Sequence, residues 1–240
     1  MIDALAQSDA SDPACPELVK PFQERIGSFM YSSGSCRPDI SYAVHLLARC
    51  MSRPTPELMD ECDYVLNYLN ATRQLGITYS PGSYDLHAYS DASWEVQYST
   101  SGWAILWQNG AVAWGSRKQQ SVSLSSCEAE IMALSEAAKD VIFYRKLVQG
   151  LNSTYIDGPT RLHTDNQGAR DLSYNPEHHD KTKHIQRRHF FVRDLVEGFE
   201  VAVPFVATAD NIADFLTKPL NATAFKKFRA MAMNEPAAHA

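Results

Sequence analysis

Leu124-Ser125-Ser126-Cys127-Glu128-Ala129-Glu130-Ile131-Met132-Ala133-Leu134-Ser135-Glu136-Ala137 opens a long amphipathic helix, and the elements on either side take their places from it. Ser125 with Glu128 three residues on is a capping box, which assigns Glu128 to the helix start. Ile131, Leu134, Ala138, Val141, Ile142 and Leu147 follow as the apolar stripe, and Gly150 is a natural stop. Glu130, two residues past Glu128, lies on a different face and is free to point elsewhere.

Upstream of this helix the pattern turns to short strands at 76–79, 84–90, 102–107 and 111–114, with Asn109-Gly110 as a two-residue hairpin signal. Downstream it predicts a strand at 161–164, a short helix at 166–172 and a helix at 181–197 that buries Phe190, Phe191, Leu195 and Val196. A strand at 199–206 and a helix at 210–217, ended by Pro219, complete it. From the strand at 84–90 onward the order is βββαβα(α)βα, its first three strands an antiparallel meander, which predicts an α/β architecture: a mixed sheet with helices on its faces.

The chain before residue 76 reads as helical. Pro38 marks one start, followed by Ile40, Val44, Leu47 and Met51. Thr55-Pro56 marks the next, followed by the stripe Leu58, Cys62, Val65, Leu66 and Leu69. This divides the chain into a disordered N-terminus (1–16), a helical segment (17–80), a sheet domain (81–220), and a short helix with a loose tail (221–240).

Of the 240 residues, 45% are hydrophobic and 21% charged, ordinary values for a globular protein. No apolar run nears the ~20 residues of a membrane span, and residues 1–16 lack the pattern of a signal peptide. The five cysteines are odd in number and include no C-x-x-C, which argues against a zinc site or a disulfide framework and fits a reducing compartment. Cys50, Cys62 and Cys127 read as small core residues.

Four carboxylates carry the chemistry: Asp91, Glu130, Asp165 and Asp214, spaced by 39, 35 and 49 residues. Asp91 and Asp165 follow predicted strands, where α/β sheets gather ligand sites. Glu130 lies near the start of the long helix, with Glu128 as the competing carboxylate there, and Asp214 lies on a late helix. Four carboxylates in one place repel unless cations hold them, and all-oxygen ligands suit Mg²⁺ or Mn²⁺. Two such ions about 4 Å apart clamp the attacking and leaving oxygens of a phosphodiester. The net charge of −6 argues against a nucleic-acid partner at first. Residues 81–220, however, hold 13 Lys+Arg against 17 Asp+Glu, and bound cations on the four carboxylates would account for that −4. Lys181, Lys183, Arg187, Arg188 and Arg193 form a basic stretch, read either as a phosphate track or as a solvated helix face. The histidines at 178, 179, 184 and 189 are poorly spaced for a metal, and no nucleophile-elbow motif accompanies them. His184, beside Lys183, reads as a phosphate contact or as an ordinary packed histidine.

At these residues the sequence resembles the ribonuclease H domain of copia-type retrotransposon Pol polyproteins. The resemblance rests on Ser99-Thr100-Ser101-Gly102, Ala113-Trp114-Gly115-Ser116-Arg117-Lys118-Gln119, the 124–137 stretch, Thr164-Asp165-Asn166-Gln167-Gly168-Ala169, Lys181-Thr182-Lys183-His184-Ile185 and Ala213-Asp214-Phe215-Leu216-Thr217-Lys218-Pro219-Leu220. Cys36-Arg37-Pro38-Asp39-Ile40-Ser41-Tyr42-Ala43-Val44 and Val65-Leu66-Asn67-Tyr68-Leu69 resemble the segment that joins the reverse transcriptase to that domain, so coverage runs over about residues 22–220. The resemblance implies a ribonuclease H-like fold with a five-stranded mixed sheet flanked by helices. It implies two-metal-ion hydrolysis of the RNA strand of RNA–DNA hybrids during reverse transcription, with two Mg²⁺ (Mn²⁺ as substitute) held by Asp91, Glu130, Asp165 and Asp214. The implied partners are the hybrid and the polymerase domain of the parent polyprotein, with no membrane. The implied setting is intracellular, in a cytoplasmic virus-like particle or the nucleus.

Asn166 and Gln167 are placed to read the hybrid's polar groups, with helix capping as the other reading of Asn166. Arg117 and Lys118 are placed to hold phosphate, and Lys183, Arg187 and Arg188 to track the DNA strand. Several features depart from the family pattern. The turn at 93–98 is short, Cys127 stands where Thr is frequent, and 207–209 carries no histidine before the last Asp. The polymerase, protease and integrase motifs are absent, so a fragment or a degenerate product of such a polyprotein is expected. A catalytically silent relic that binds nucleic acid or a polymerase partner is the alternative reading, and an integrase-like strand-transfer domain a third.

Overall fold

The computed structural model describes residues 15–80, 84–95, 98–174 and 186–235, leaving aside the side chains of residues 186, 187 and 189. The chain divides into two compact units, Met1–Gly76 and Ile77–Ala240.

The first unit is helical: α1 (Pro16–Ser35), a 3₁₀ turn at Pro38–Ile40, α2 (Ser41–Ala48) and α3 (Pro56–Ala71). Thr55 caps α3, its side chain accepting from the backbone N–H of Leu58. Phe22, Ile26, Phe29, Val44, Leu47, Leu58, Cys62 and Val65 make the core. The predicted stripe is right at Leu58, Cys62 and Val65, but Leu66 is exposed, because it sits about 100° around the helix from Val65. Arg37 and Asp39 form a buried ion pair, Nη2 to Oδ2 at 2.7 Å. Tyr68 Oη donates to the same Asp39 oxygen at 2.7 Å, so the buried carboxylate is both paired and hydrogen-bonded.

The second unit carries a five-stranded sheet in the order β3-β2-β1-β4-β5. Its strands are β1 (His87–Ser93), β2 (Thr100–Trp107), β3 (Gly110–Lys118), β4 (Thr160–His163) and β5 (Val201–Ala202). β1–β2 and β2–β3 are antiparallel, whereas β1–β4 and β4–β5 are parallel. α4 (Ser126–Leu151) covers one face, α5 (Gln167–Tyr174) and α6 (Gln186–Glu197) follow β4, and α7 (Ala222–Met233) ends the described chain. Ala88, Trp103 and Ile105 pack with α4, while Ala104 and Leu106 pack with α7 and the 3₁₀ helix Ile212–Leu216. This is the period-two alternation of a strand buried on both sides. The mixed sheet flanked by helices is a ribonuclease H-like fold.

Several local expectations shift. Residues 76–79 form no strand; Thr78 N–H bonds to Met233 O and Ser80 N–H to Gln108 O. The hairpin turn lies one residue early: Gln108 and Asn109 take the left-handed conformation, with φ of 50° and 65°. Gly110 enters β3 as the partner of Trp107. A Cβ at Gly110 would lie 2.8 Å from Thr78 O and 2.9 Å from Tyr79 Cδ1, so close approach, not backbone conformation, requires this glycine. The stripe of α4 keeps Ile131, Leu134, Ala138 and Val141 but continues to Val148. Leu147 is exposed, since sixteen residues from Ile131 amount to about 160° of rotation. In α6 the buried residue is Val192, outside the expected set, while Phe190, Phe191, Leu195 and Val196 are half-buried. The 199–206 strand shrinks to β5 and one bridge, Thr164 to Phe205, as expected where Pro204 has no donor. The 210–217 helix resolves into 3₁₀ turns at Thr208–Asp210 and Ile212–Leu216. Among the described residues no helix is long and apolar enough to cross a membrane.

Candidate metal centre

Asp91 lies within β1, not beyond it, because the ladder to β2 continues to Ser93↔Thr100. The parallel pairing with β4 stops two residues earlier, at Tyr89↔His163. The sheet therefore splits at this point, and Asp165 emerges from the end of β4 into the opening.

Asn211 delivers the third carboxylate. Fully buried, it donates from Nδ2 to Ser90 O at 3.0 Å and accepts from Ala213 N–H through Oδ1 at 3.2 Å. One amide thus fastens the 3₁₀ helix to β1 beside Asp91, and Asp214 follows three residues on. Gly102, the register partner of Asp91, leaves room for this segment: a Cβ there would lie 2.5 Å from Thr217 Cγ2 and 2.9 Å from Leu216 Cβ.

The start of α4 is fastened separately. Gln119 Nε2 donates to Ser101 Oγ and to Ala129 O, each at 2.9 Å, and its Oε1 accepts from Ser123 Oγ at 2.8 Å. Glu128 caps the helix, with its N–H donating to Ser125 Oγ. Its carboxylate reaches back to Leu124 N–H at 2.7 Å, one residue beyond the usual box. Glu130 faces the interior.

Asp91, Asp165 and Asp214 each offer an oxygen, and the three oxygens lie within 4.8 Å of one another. Glu130 is outside that triad but inside its electric field. Burial first, then the charges of Asp91 and Asp165, push its carboxyl up to about 9. Burial and Asp91 push Asp214 up to about 7, and burial also raises Asp91. Two groups oppose this. Thr217 Oγ1 donates to Asp91 Oδ2. Lys218 Nζ lies 2.9 Å from Asp214 Oδ1 and 3.7 Å from Asp91 Oδ2. Burial disfavours that ammonium, but Asp91 and Asp214 outweigh it and its pKa rises.

The residues fit a hard divalent cation. Every donor is a carboxylate oxygen, Glu130 Oε2 is buried without a hydrogen-bond partner, and a cationic group already stands among the carboxylates. Thr217, Lys218, Asn211 and Gly102 escaped the sequence reading as site residues. Their signal was present in part, since Thr217 and Lys218 stand three and four residues after Asp214.

The other sequence-predicted residues disperse. Asn166 Oδ1 accepts from Ala169 N–H at 2.9 Å, so it caps α5, and Gln167 is exposed at the first position of that helix. Arg117 and Lys118 line a cleft of about 280 Å³ with Lys139, Arg188 and Glu136. Ser101 in its wall stands next to Gly102. Lys183 and His184 lie outside the described residues, as does the side chain of Arg187.

No family model matches the chain. The Retrovirus-related Pol polyprotein from transposon RE1 of Arabidopsis thaliana is 36% identical over 219 residues, 88% of this chain and 15% of that protein. The corresponding polyprotein from transposon TNT 1-94 of Nicotiana tabacum is 31% identical over 223 residues, 87% of this chain and 16% of that protein. The chain therefore spans about 15% of the length of these curated relatives. Among solved structures, that of the foamy viral protease-reverse transcriptase dRH in complex with ds DNA aligns with a TM-score of 0.50 at 10% identity, over 86% of this chain and 34% of that one. The homologues of this chain are retrovirus-related Pol polyproteins from copia-type transposons, and the segment it shares with them holds the ribonuclease H-like sheet.

Proposed function

We propose that this chain is a divalent-metal-dependent endoribonuclease that hydrolyses the RNA strand of RNA–DNA hybrids during retrotransposon reverse transcription. The observation that carries the reading is the closure of one oxygen each of Asp91, Asp165 and Asp214 to within 4.8 Å, with Glu130 Oε2 buried without a hydrogen-bond partner. Asp91, Glu130, Asp165 and Asp214 would hold the ions, Mg²⁺ or Mn²⁺. When bound, such ions supply an activated water and neutralise charge on the leaving oxygen. The chain itself supplies the frame. Asn211 and Gln119 hold two of the carboxylates against the sheet from opposite faces, and Thr217 orients Asp91. The cleft holding Arg117, Lys118, Lys139 and Arg188 gives the DNA strand a basic wall beside the strand ends, where charge fixes register without reading sequence. Gln167, Lys183, His184 and Arg187 are proposed further contacts to the hybrid, and Asn166 contributes by setting the start of α5. The 17–80 segment is read as the connection to a polymerase domain and 81–220 as the nuclease.

The test is cleavage of a hybrid with labelled RNA by the purified chain in Mg²⁺ and in Mn²⁺, and the loss of that cleavage in Asp165→Asn. Intact hybrid in both metals sinks the reading for this chain, and intact hybrid with retained binding marks the silent relic instead.

A further inference from the structure

The mechanism leaves Lys218 without a part, and its position is unusual. Three carboxylate oxygens within 4.8 Å of one another repel unless a cation stands between them. Lys218 Nζ stands there, 2.9 Å from Asp214 Oδ1 and 3.7 Å from Asp91 Oδ2. The carboxylates it meets are almost fully buried, but its own side chain is 36% exposed. Its backbone N–H closes the turn onto Asp214 O at 3.2 Å, which fixes the base of the side chain above the centre while part of the stem borders water. Asp165 adds its field from β4, and Glu130 adds a fourth acid from α4.

We infer that Lys218 is the resident counter-ion of this centre and is exchanged for the divalent cation, the two occupying the carboxylates in turn. This rests on the metal-site reading above. The ammonium is a compact point charge on a flexible stem, so it neutralises the carboxylates without being coordinated and leaves by rotating its stem outward. Without metal it holds the Asp214 turn against β1, and with metal it is released into the mouth of the site, still charged. The protein thereby keeps four acids together before any ion arrives, and the affinity for the ion is set against an internal competitor.

The experiment compares wild type, Lys218→Met and Lys218→Arg at one fixed pH and low ionic strength. Manganese binding is followed by loss of the free-ion paramagnetic resonance signal, and melting is followed in chelator. Lys218→Met should bind Mn²⁺ more tightly, on the order of tenfold, and melt lower without metal. Lys218→Arg, which keeps the charge, should stay near wild type. Adding Asp214→Asn to Lys218→Met should restore the metal-free melting temperature, which a role in packing alone would not do. Equal or weaker Mn²⁺ binding in Lys218→Met overturns the inference. Should Lys218→Met fail to fold without metal, the double variant decides: folding supports the inference and failure overturns it. Hybrid cleavage is not read here. A chain that shows this competition but leaves hybrid intact retains the counter-ion and loses the nuclease. A chain that cuts hybrid with Lys218→Met unchanged in Mn²⁺ binding does the reverse.

Discussion

Gly102 faces Asp91 directly across the β1–β2 ladder, and its missing side chain is the space into which Thr217 and Leu216 descend. The closure of the carboxylate cluster therefore depends on a hydrogen atom in a strand that supplies none of its acids. Gly102→Ala puts a methyl 2.5 Å from Thr217 Cγ2 and 3.1 Å from Ala213 O. Backbone cannot yield cheaply, so a loss of about 1–3 kcal/mol is expected, together with weaker Mn²⁺ binding as Asp214 is lifted away. Urea denaturation with a parallel metal titration checks both. Unchanged metal affinity would show that the two features are independent.

Asn211→Ala removes the donor that satisfies Ser90 O inside the protein. A buried carbonyl left unpaired costs about 1–3 kcal/mol, and the Asp214 turn loses its attachment to β1. Asn211→Asp is the sharper variant, because it adds a fifth acid beside the cluster. It should destabilise the metal-free protein more than alanine does, and a chemical-denaturation series of the two variants provides the comparison.

Metal-free stability should fall as pH rises. Glu130 and Asp214 have ordinary values of 4.5 and 3.8 and are pushed up to about 9 and about 7 in the folded chain. A raised acid contributes stability that is complete below its unfolded value and lost as pH climbs through its folded one. The decline thus begins above pH 4 and passes through 7 and then 9. Melting in chelator from pH 5 to 9 reads it directly. Glu130→Gln should flatten the alkaline end, and added Mn²⁺ should stabilise most at high pH, where the carboxylates are already ionised.

Arg117 and Arg188 enter the same cleft from β3 and α6. If that cleft holds DNA phosphates, Arg117→Ala and Arg188→Ala should each lower the slope of log affinity against log salt by about 0.7–0.9. Weakening should be uniform across hybrid sequences. Fluorescence anisotropy over a range of KCl concentrations tests this, and an unaltered slope in both variants would remove the cleft from the substrate path.

What the sequence made legible follows from which interactions are local. The Ser125 cap and the separation of Glu128 from Glu130 are helix-start chemistry, readable within six residues. The three-strand meander was readable from apolar runs and one turn signal, but its turn was placed one residue late because Asn-Gly normally supplies both left-handed positions, and here Gln108 takes one of them. The strand predicted at 76–79 failed because the partner of Thr78, Met233, is the last residue of a helix and lies outside any ladder. Lys218 could not be assigned, since its partner Asp91 is 127 residues away. Asn211 was invisible for the same reason: its bond to Ser90 spans 121 positions.

That separation has a consequence for the order in which the molecule is made. Chains emerge N-terminal end first, at about 5–20 residues per second, and β1, β2, β3 and α4 are all present before residue 152. Asn211, Asp214, Thr217 and Lys218 arrive only afterwards, with α7. Until then the hollow over Gly102 is unfilled and Asp91 has neither Thr217 nor Lys218 beside it. A nascent chain can thus build most of its scaffold and still lack the closed carboxylate cluster. The backbone at 211–218 closes the carboxylate cluster long after the first three strands and the long helix have been made.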